Sequence, residues 1–189
     1  MSDNPPIMAL NKNYEEEDLA NRLKFLSSIN EPNANFLSPA EEHVFAYVDS
    51  VLSNSIDEWE IIDHDLFFPK QLAINSQNLN IGKCLGTVQA SPEEILSWMF
   101  LFESHQNMAK HNKLNGSSDT SRFPNKILNH VNDHHNITYT ARKLPPPIAP
   151  REWLTQNIWK KNNEDSFTLV YSSIGESYPE CPLNFPRST

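Results

Sequence analysis

The chain predicts an α+β fold, with helices packed against one face of an antiparallel sheet. Three observations carry that expectation. The segment ITYTARKLPPPIAPREWLTQNIWKKNNEDSFTLVYSSI, Ile137 to Ile174, alternates apolar and polar residues in three runs, the period-two pattern of neighbouring strands. Two near-identical helix starts, Ser38-Pro39-Ala40-Glu41 and Ser91-Pro92-Glu93-Glu94, open apolar stretches at helical spacing. The links between successive strand-like runs are short, which favours antiparallel pairing.

Taken in order, residues 1–37 read as an N-terminal extension, partly helical or disordered. Its helix is expected over Tyr14–Ile29, where Leu19, Leu23 and Leu26 recur at helical spacing. Asn30, Pro32, Asn33 and Asn35 then break it. Ser38 supplies an N-cap, Pro39 fits the first helical position and Glu41 completes a capping box. Behind it Val44, Val48, Val51 and Leu52 line one face, with Phe45 beside them. Trp59–Phe68 and Gln71–Asn80 have strand character, and Gly82–Gln89 has more, with Cys84, Gly86 and Val88 on one face.

The second start signal opens a helix through Ile95, Trp98, Met99 and Phe102, followed by a polar loop at Asn115–Asp119. Lys126–Val131 reads as a strand and Asn132–Asn136 as a turn. Ile137, Tyr139 and Ala141 then alternate with Thr138, Thr140 and Arg142. Pro145, Pro146 and Pro147 end that strand, because proline holds φ near one value and donates nothing to a ladder. Trp153, Thr155, Asn157 and Trp159 alternate with Leu154, Gln156, Ile158 and Lys160. After a polar turn at Asn162–Asp165, Phe167, Leu169 and Tyr171 resume the alternation. The expected order is helix, three strands, helix, four strands.

At 189 residues the chain fits one domain with a tail. Hydrophobic residues make up 38% of it and the mean hydropathy is -0.56, enough for a modest core. The net charge of -9 repels nucleic-acid backbones and anionic headgroups, so no nucleic-acid partner is expected. No run approaches the roughly 20 apolar residues that cross a bilayer, and the start MSDNPPIMALNKNYEEEDL lacks the pattern of a secretory signal. Cys84 and Cys181 are the only cysteines, which points to a reducing, cytoplasmic setting.

Catalytic and metal chemistry find little support. His130, His134 and His135 cluster round Asp133, but adjacent histidines point to opposite sides of a strand and the stretch reads as a turn. His105 and His111 stand six apart, out of helical alignment. No metal site, cofactor or catalytic residue is expected, since Cys84 has no activating neighbour and four glycines cannot build a phosphate loop.

Three strings, in order, resemble the START (steroidogenic acute regulatory protein-related lipid transfer) domain. Val88-Gln89-Ala90-Ser91-Pro92-Glu93-Glu94-Ile95 is similar to that family's strand-to-helix junction. Val131 to Tyr139 is similar to its hairpin before the central strand, and Lys143 to Trp153 looks like its proline turn and following strand. The likeness spans roughly residues 38–187, giving a START-like domain over residues 38–189. It implies a helix-grip fold, a curved antiparallel sheet wrapped round a long helix and enclosing one lipid. Three departures stand out: Glu152 replaces the usual aspartate, Asn157 falls where some sterol binders have a cavity arginine, and the sequence stops at Thr189. The expectation is therefore a C-terminally truncated member, lacking the last strands and the lid helix; Tyr14–Ile29 is weighed as a replacement lid.

The resemblance implies non-covalent binding of one lipid or sterol-like molecule, with no enzyme activity, by a monomer making transient membrane contact. Val88, Tyr139, Trp153, Thr155, Asn157, Trp159, Phe167, Leu169 and Tyr171 are the expected lining of its cavity. Alternation alone gives a dry face and not a hollow one, so a solid sheet core remains the competing reading of the aromatics. A degenerate interaction module without ligand is the corresponding alternative function. Arg151 and Glu152 are expected to form a local ion pair beside the proline turn, and Leu144–Pro150 is the candidate release loop.

Overall fold

The computed structural model describes residues 7–29, 37–53, 60–64, 69–74, 80–84, 86–116 and 122–174. Their order is α1 (Ile7–Ile29), α2 (Pro39–Ser53), β1 (Glu60–His64), β2 (Pro69–Ile74), β3 (Asn80–Cys84), α3 (Pro92–Phe100), α4 (His105–Asn115), β4 (Asn125–Asn132), β5 (His135–Arg142), β6 (Arg151–Asn163) and β7 (Ser166–Ser173). The strands form two antiparallel meanders, β1-β2-β3 and β4-β5-β6-β7. The chain divides into two compact units: Leu37–Ser91, and Met1–Phe36 with Pro92–Thr189.

In the first unit, α2 opens on the predicted capping box. The Ser38 N–H donates to Glu41 Oε2 at 2.7 Å, and the Glu41 N–H donates to Ser38 Oγ at 3.4 Å. Strand β3 ends earlier than expected. Cys84 pairs with Lys70, and the next position on β2 is Pro69, which has no N–H for the ladder. Val88 therefore lies outside any strand and is 63% exposed.

In the second unit the four-stranded sheet buries both faces. Asn136 pairs with Asn157, Thr138 with Thr155 and Thr140 with Trp153, alternating with Tyr139–Leu154 and Ala141–Glu152. Directly opposed residues share a face. One face thus carries Thr138, Thr155, Asn157 and Trp159, continued by Leu169 and Tyr171 of β7. The other carries Tyr139, Ala141 and Leu154, packed with Phe123 and flanked by Leu128, Ile137 and Ile174. A single dry face on Ile137, Tyr139 and Ala141 is not what results, for Thr138 is as buried as Tyr139. Register shifts between Ile127 and Asn129, and between His130 and Asn132, mark bulges that bend edge strand β4.

Helix α4 is absent from the sequence-based expectation. Its residues HQNMAKHNKLN carry no apolar stripe, and His111 and Asn115 are its buried residues. Its termini hold it instead. The Ser104 side chain accepts from the Asn107 N–H, and Gly116 closes the helix at φ 64, its N–H reaching the carbonyls of Asn112 and Lys113. The left-handed conformation at Gly116 disfavours any residue with a Cβ. Two further N-terminal amides, those of His105 and Gln106, donate to the Asp18 carboxylate of α1 at 2.8 and 3.1 Å. An acid at a helix N-terminus also suits the positive end of its dipole.

That contact places α1 over the Trp159 face of the sheet. The expected stripe is only half right: Leu19 and Leu23 are 55% and 56% exposed, while Phe25 and Ile29, one turn apart, are buried. They join Leu96 and Phe100 of α3 round Trp159, with Leu26, Leu101, Phe167 and Leu169 at the margin. Tyr14–Ile29, weighed above as a stand-in lid, lies within the helix that covers this end of the sheet.

Candidate functional site

The face shared by Trp159 and Asn157 has two chemically distinct zones. At one end Trp159 is fully buried among rings. Phe25, Phe100 and Phe167 approach it edge-on, with centroids at 5.9, 6.5 and 6.1 Å, and Phe25 stacks on Phe100 at 5.4 Å. Edge-to-face geometry is favoured by the ring quadrupoles. Trp159 therefore sits at the centre of a packed cluster, with Phe167 and Leu169 against its margin. The competing reading of these aromatics, a solid sheet core, fits this zone.

Beside it lies a polar strip. Asn157 Nδ2 donates to Asn136 Oδ1 at 2.6 Å and to Thr138 Oγ1 at 3.0 Å. Thr155 Oγ1 donates to Asn157 Oδ1 at 3.2 Å and lies 2.9 Å from Thr138 Oγ1. Thr140 Oγ1 donates to Asn125 Oδ1 at 2.7 Å. Thr155 and Asn157, both expected to line a cavity, hydrogen-bond to each other and to Thr138 and Asn136 of the neighbouring strand. Truncating Asn157 to alanine strands the Asn136 carbonyl oxygen in the interior. It should lower stability by about 1–3 kcal/mol, read by urea unfolding.

Tyr139 faces the opposite side of the sheet and donates from its hydroxyl to the buried carboxylate of Glu152 at 2.8 Å. The two residues sit diagonally on one face, since Glu152 pairs with Ala141. Glu152 is thus an interior carboxylate and not a surface one. Trp153 is half-buried across from Thr140. Tyr171 is 42% exposed, yet its hydroxyl donates to the Met99 carbonyl at 2.9 Å, and burial pushes its pKa up to about 12.

Two cavities flank the packed zone. The larger, about 730 Å³, lies between α1, the Phe100–Ser104 connection and β4. Phe25, Phe100, Leu101, Phe102 and Ile127 supply its apolar surface, and Lys24, Glu103 and His130 are among its polar residues. Ile127 pairs with Thr138, so the cleft opens over the β4 edge of the Trp159 face. The Glu103 carboxylate braces the same edge, accepting from the Ile127 N–H at 2.6 Å. Among the nine residues expected to line a cavity, none lines this cleft, and Tyr171 lines the smaller one, of about 360 Å³. The cleft residues were out of reach of strand periodicity, because most come from α1 and from the turn between two helices.

No family model matches the sequence. No curated protein matches it either. Solved structures do. Human StAR-related lipid transfer protein 5 superposes with a TM-score of 0.59 at 16% identity, over 80% of this chain and 71% of that one. The fold is START-like. The human StarD13 (DLC2) lipid transfer and protein localization domain gives a TM-score of 0.50 at 13% identity, over 77% of this chain and 68% of its own. The α+β START-like architecture expected from the three sequence strings is therefore present. No described helix is long and apolar enough to cross a membrane.

Proposed function

We propose that this START-like domain binds one lipid or sterol-like molecule non-covalently, in the cleft between α1, the Phe100–Ser104 connection and β4. The observation that carries the reading is the cleft itself, about 730 Å³ with five apolar side chains converging from three elements. Ligand sites for small molecules have about this size, and combine an apolar wall with polar groups that orient the ligand; here nine described polar residues line the cleft beside the five apolar ones. The two structural neighbours, both lipid transfer domains, support the same class of ligand. Binding would draw on desolvation, at about 25 cal/mol for each Å² of apolar surface removed from water. Trp159, Phe167 and Leu169 serve this reading as the rigid floor behind the cleft, while Phe25 belongs to both floor and wall.

The proposed carrier is a cytoplasmic monomer that meets membranes transiently. Release of the lipid requires α1 to swing from the sheet or the Leu144–Pro150 loop to open. Native mass spectrometry of the chain purified from a eukaryotic host tests the binding. Wild type should retain a lipid mass, and Ile127→Glu, a half-buried position on the cleft wall, should lose it. A wild-type chain that carries no lipid and takes none up from vesicles sinks the proposal, as does full retention in Ile127→Glu.

A further inference from the structure

The smaller cavity has a different chemistry from the cleft. It lies among α3, α4 and the sheet, with Trp98, Phe102 and Leu114 on its apolar side. Lys110 and Arg142 also line it, both exposed and hence on its solvent side. No carboxylate is among its described lining residues, in a chain whose acids outnumber its bases 24 to 15. Two cations with no acid among the described lining residues create a local positive field that opposes the net charge of -9. Lys110 Nζ rests 5.0 Å from the centroid of Trp98, which holds the ammonium over the ring without neutralising it.

His111 supplies the deeper group. It lines the same cavity and is 3% exposed. Its Nε2 lies 2.8 Å from the Phe123 carbonyl and 2.9 Å from Asn115 Nδ2. The Asn115 amide cannot be turned round, because its Oδ1 already accepts from the Lys143 N–H at 2.9 Å. Nε2 thus satisfies either the carbonyl or the amide. Nδ1 is buried and has no partner among the described residues. It carries a lone pair when Nε2 bears the proton, and an N–H when it does not. Burial, and after it the Arg142 charge, hold the ring below its ordinary pKa against the opposing Phe123 hydrogen bond, so the neutral form prevails at neutral pH.

A buried orphan nitrogen costs free energy until a ligand or water meets it. The group that meets all three demands has negative charge for Lys110 and Arg142, and an oxygen that can present either a proton or a lone pair to Nδ1. Near neutral pH a phosphate monoester offers both, since its second pKa is about 6. We propose that this cavity binds a phosphate monoester, with Arg142 and Lys110 holding the charge and His111 Nδ1 sharing the proton. The neighbouring apolar wall suits a monoester attached to a carbon body. The site stands apart from the lipid cleft, with Phe102 the single described residue common to both linings, so neither proposal depends on the other.

Titration of the full chain with inorganic phosphate at constant ionic strength, followed by thermal shift and by the ¹⁵N resonance of His111 Nδ1, tests the site. Sedimentation with phosphatidylcholine vesicles, with and without phosphatidic acid, separates the sources. A phosphate response assigns the site to free or soluble monoesters. Sedimentation that appears only with phosphatidic acid assigns it to a lipid headgroup, and either result supports the proposal. Lys110→Gln and Arg142→Gln, both at exposed positions, should each weaken the positive response by about tenfold or more while still unfolding cooperatively. The proposal is overturned if neither probe binds, if sodium chloride of equal ionic strength reproduces the phosphate response, or if both variants bind like wild type.

Discussion

Replacing Trp159 by alanine is expected to destabilise the chain by about 3–5 kcal/mol in urea unfolding. The residue is fully buried, and its ring meets Phe25, Phe100, Phe167 and His134 at centroid distances between 5.9 and 6.5 Å. Truncation removes the transfer free energy of the largest side chain in the core. It also leaves a void that three elements, α1, α3 and β7, must collapse to fill. A domain of this size is stable by about 5–15 kcal/mol, so the loss is a large share of the whole. A cost under about 1 kcal/mol, the size of a surface substitution, would mean that the aromatic cluster is not the packing centre.

Phe25→Asp is the second large effect, and it acts on the cover. Phe25 is 7% exposed, stacked on Phe100 and edge-on to Trp159. A carboxylate placed there has no partner and cannot remain ionised at low cost. Other anchors of α1 include Ile29, Leu26, the Glu17 contact to His105 and the Asp18 bridge to the first amides of α4. The expected result is that α1 detaches, with its amides losing hydrogen-exchange protection by more than about tenfold while those of β5 and β6 keep theirs. Simultaneous loss throughout the unit would show instead that α1 and the sheet unfold as one cooperative body. The single-alanine pair Phe25→Ala and Trp159→Ala should couple by about 0.5–1.5 kcal/mol, the worth of an aromatic pair beyond its buried area.

Much of this fold was legible in the sequence because the signals were local. The capping box at Ser38 and Glu41 formed as the residues require. The meander from His135 to Ser173 follows the alternation and the proline turn closely. What periodicity could not supply was the third dimension. It assigns residues to alternate faces, and Tyr139 and Trp159 look equivalent until the register pairs Tyr139 with Leu154 and sets them on opposite sides. Helix α4 was illegible because its stability comes from Ser104, Gly116 and the distant Asp18, not from a stripe. The same distance problem hid the cleft, whose wall draws on Phe25, Phe100 and Ile127, far apart in the chain. The START-like strings pointed to the right architecture, but they carry no information about which element covers the sheet here.

The most direct test of the account is hydrogen exchange of the intact chain, compared before and after loading with a natural lipid extract. The account predicts slowed exchange confined to three segments that share one cleft: the Phe25–Ser28 turn of α1, Phe100–Ser104, and Ile127–Asp133. Loading with no change at those three, or protection gained only along the Lys143–Ala149 turn, would contradict it.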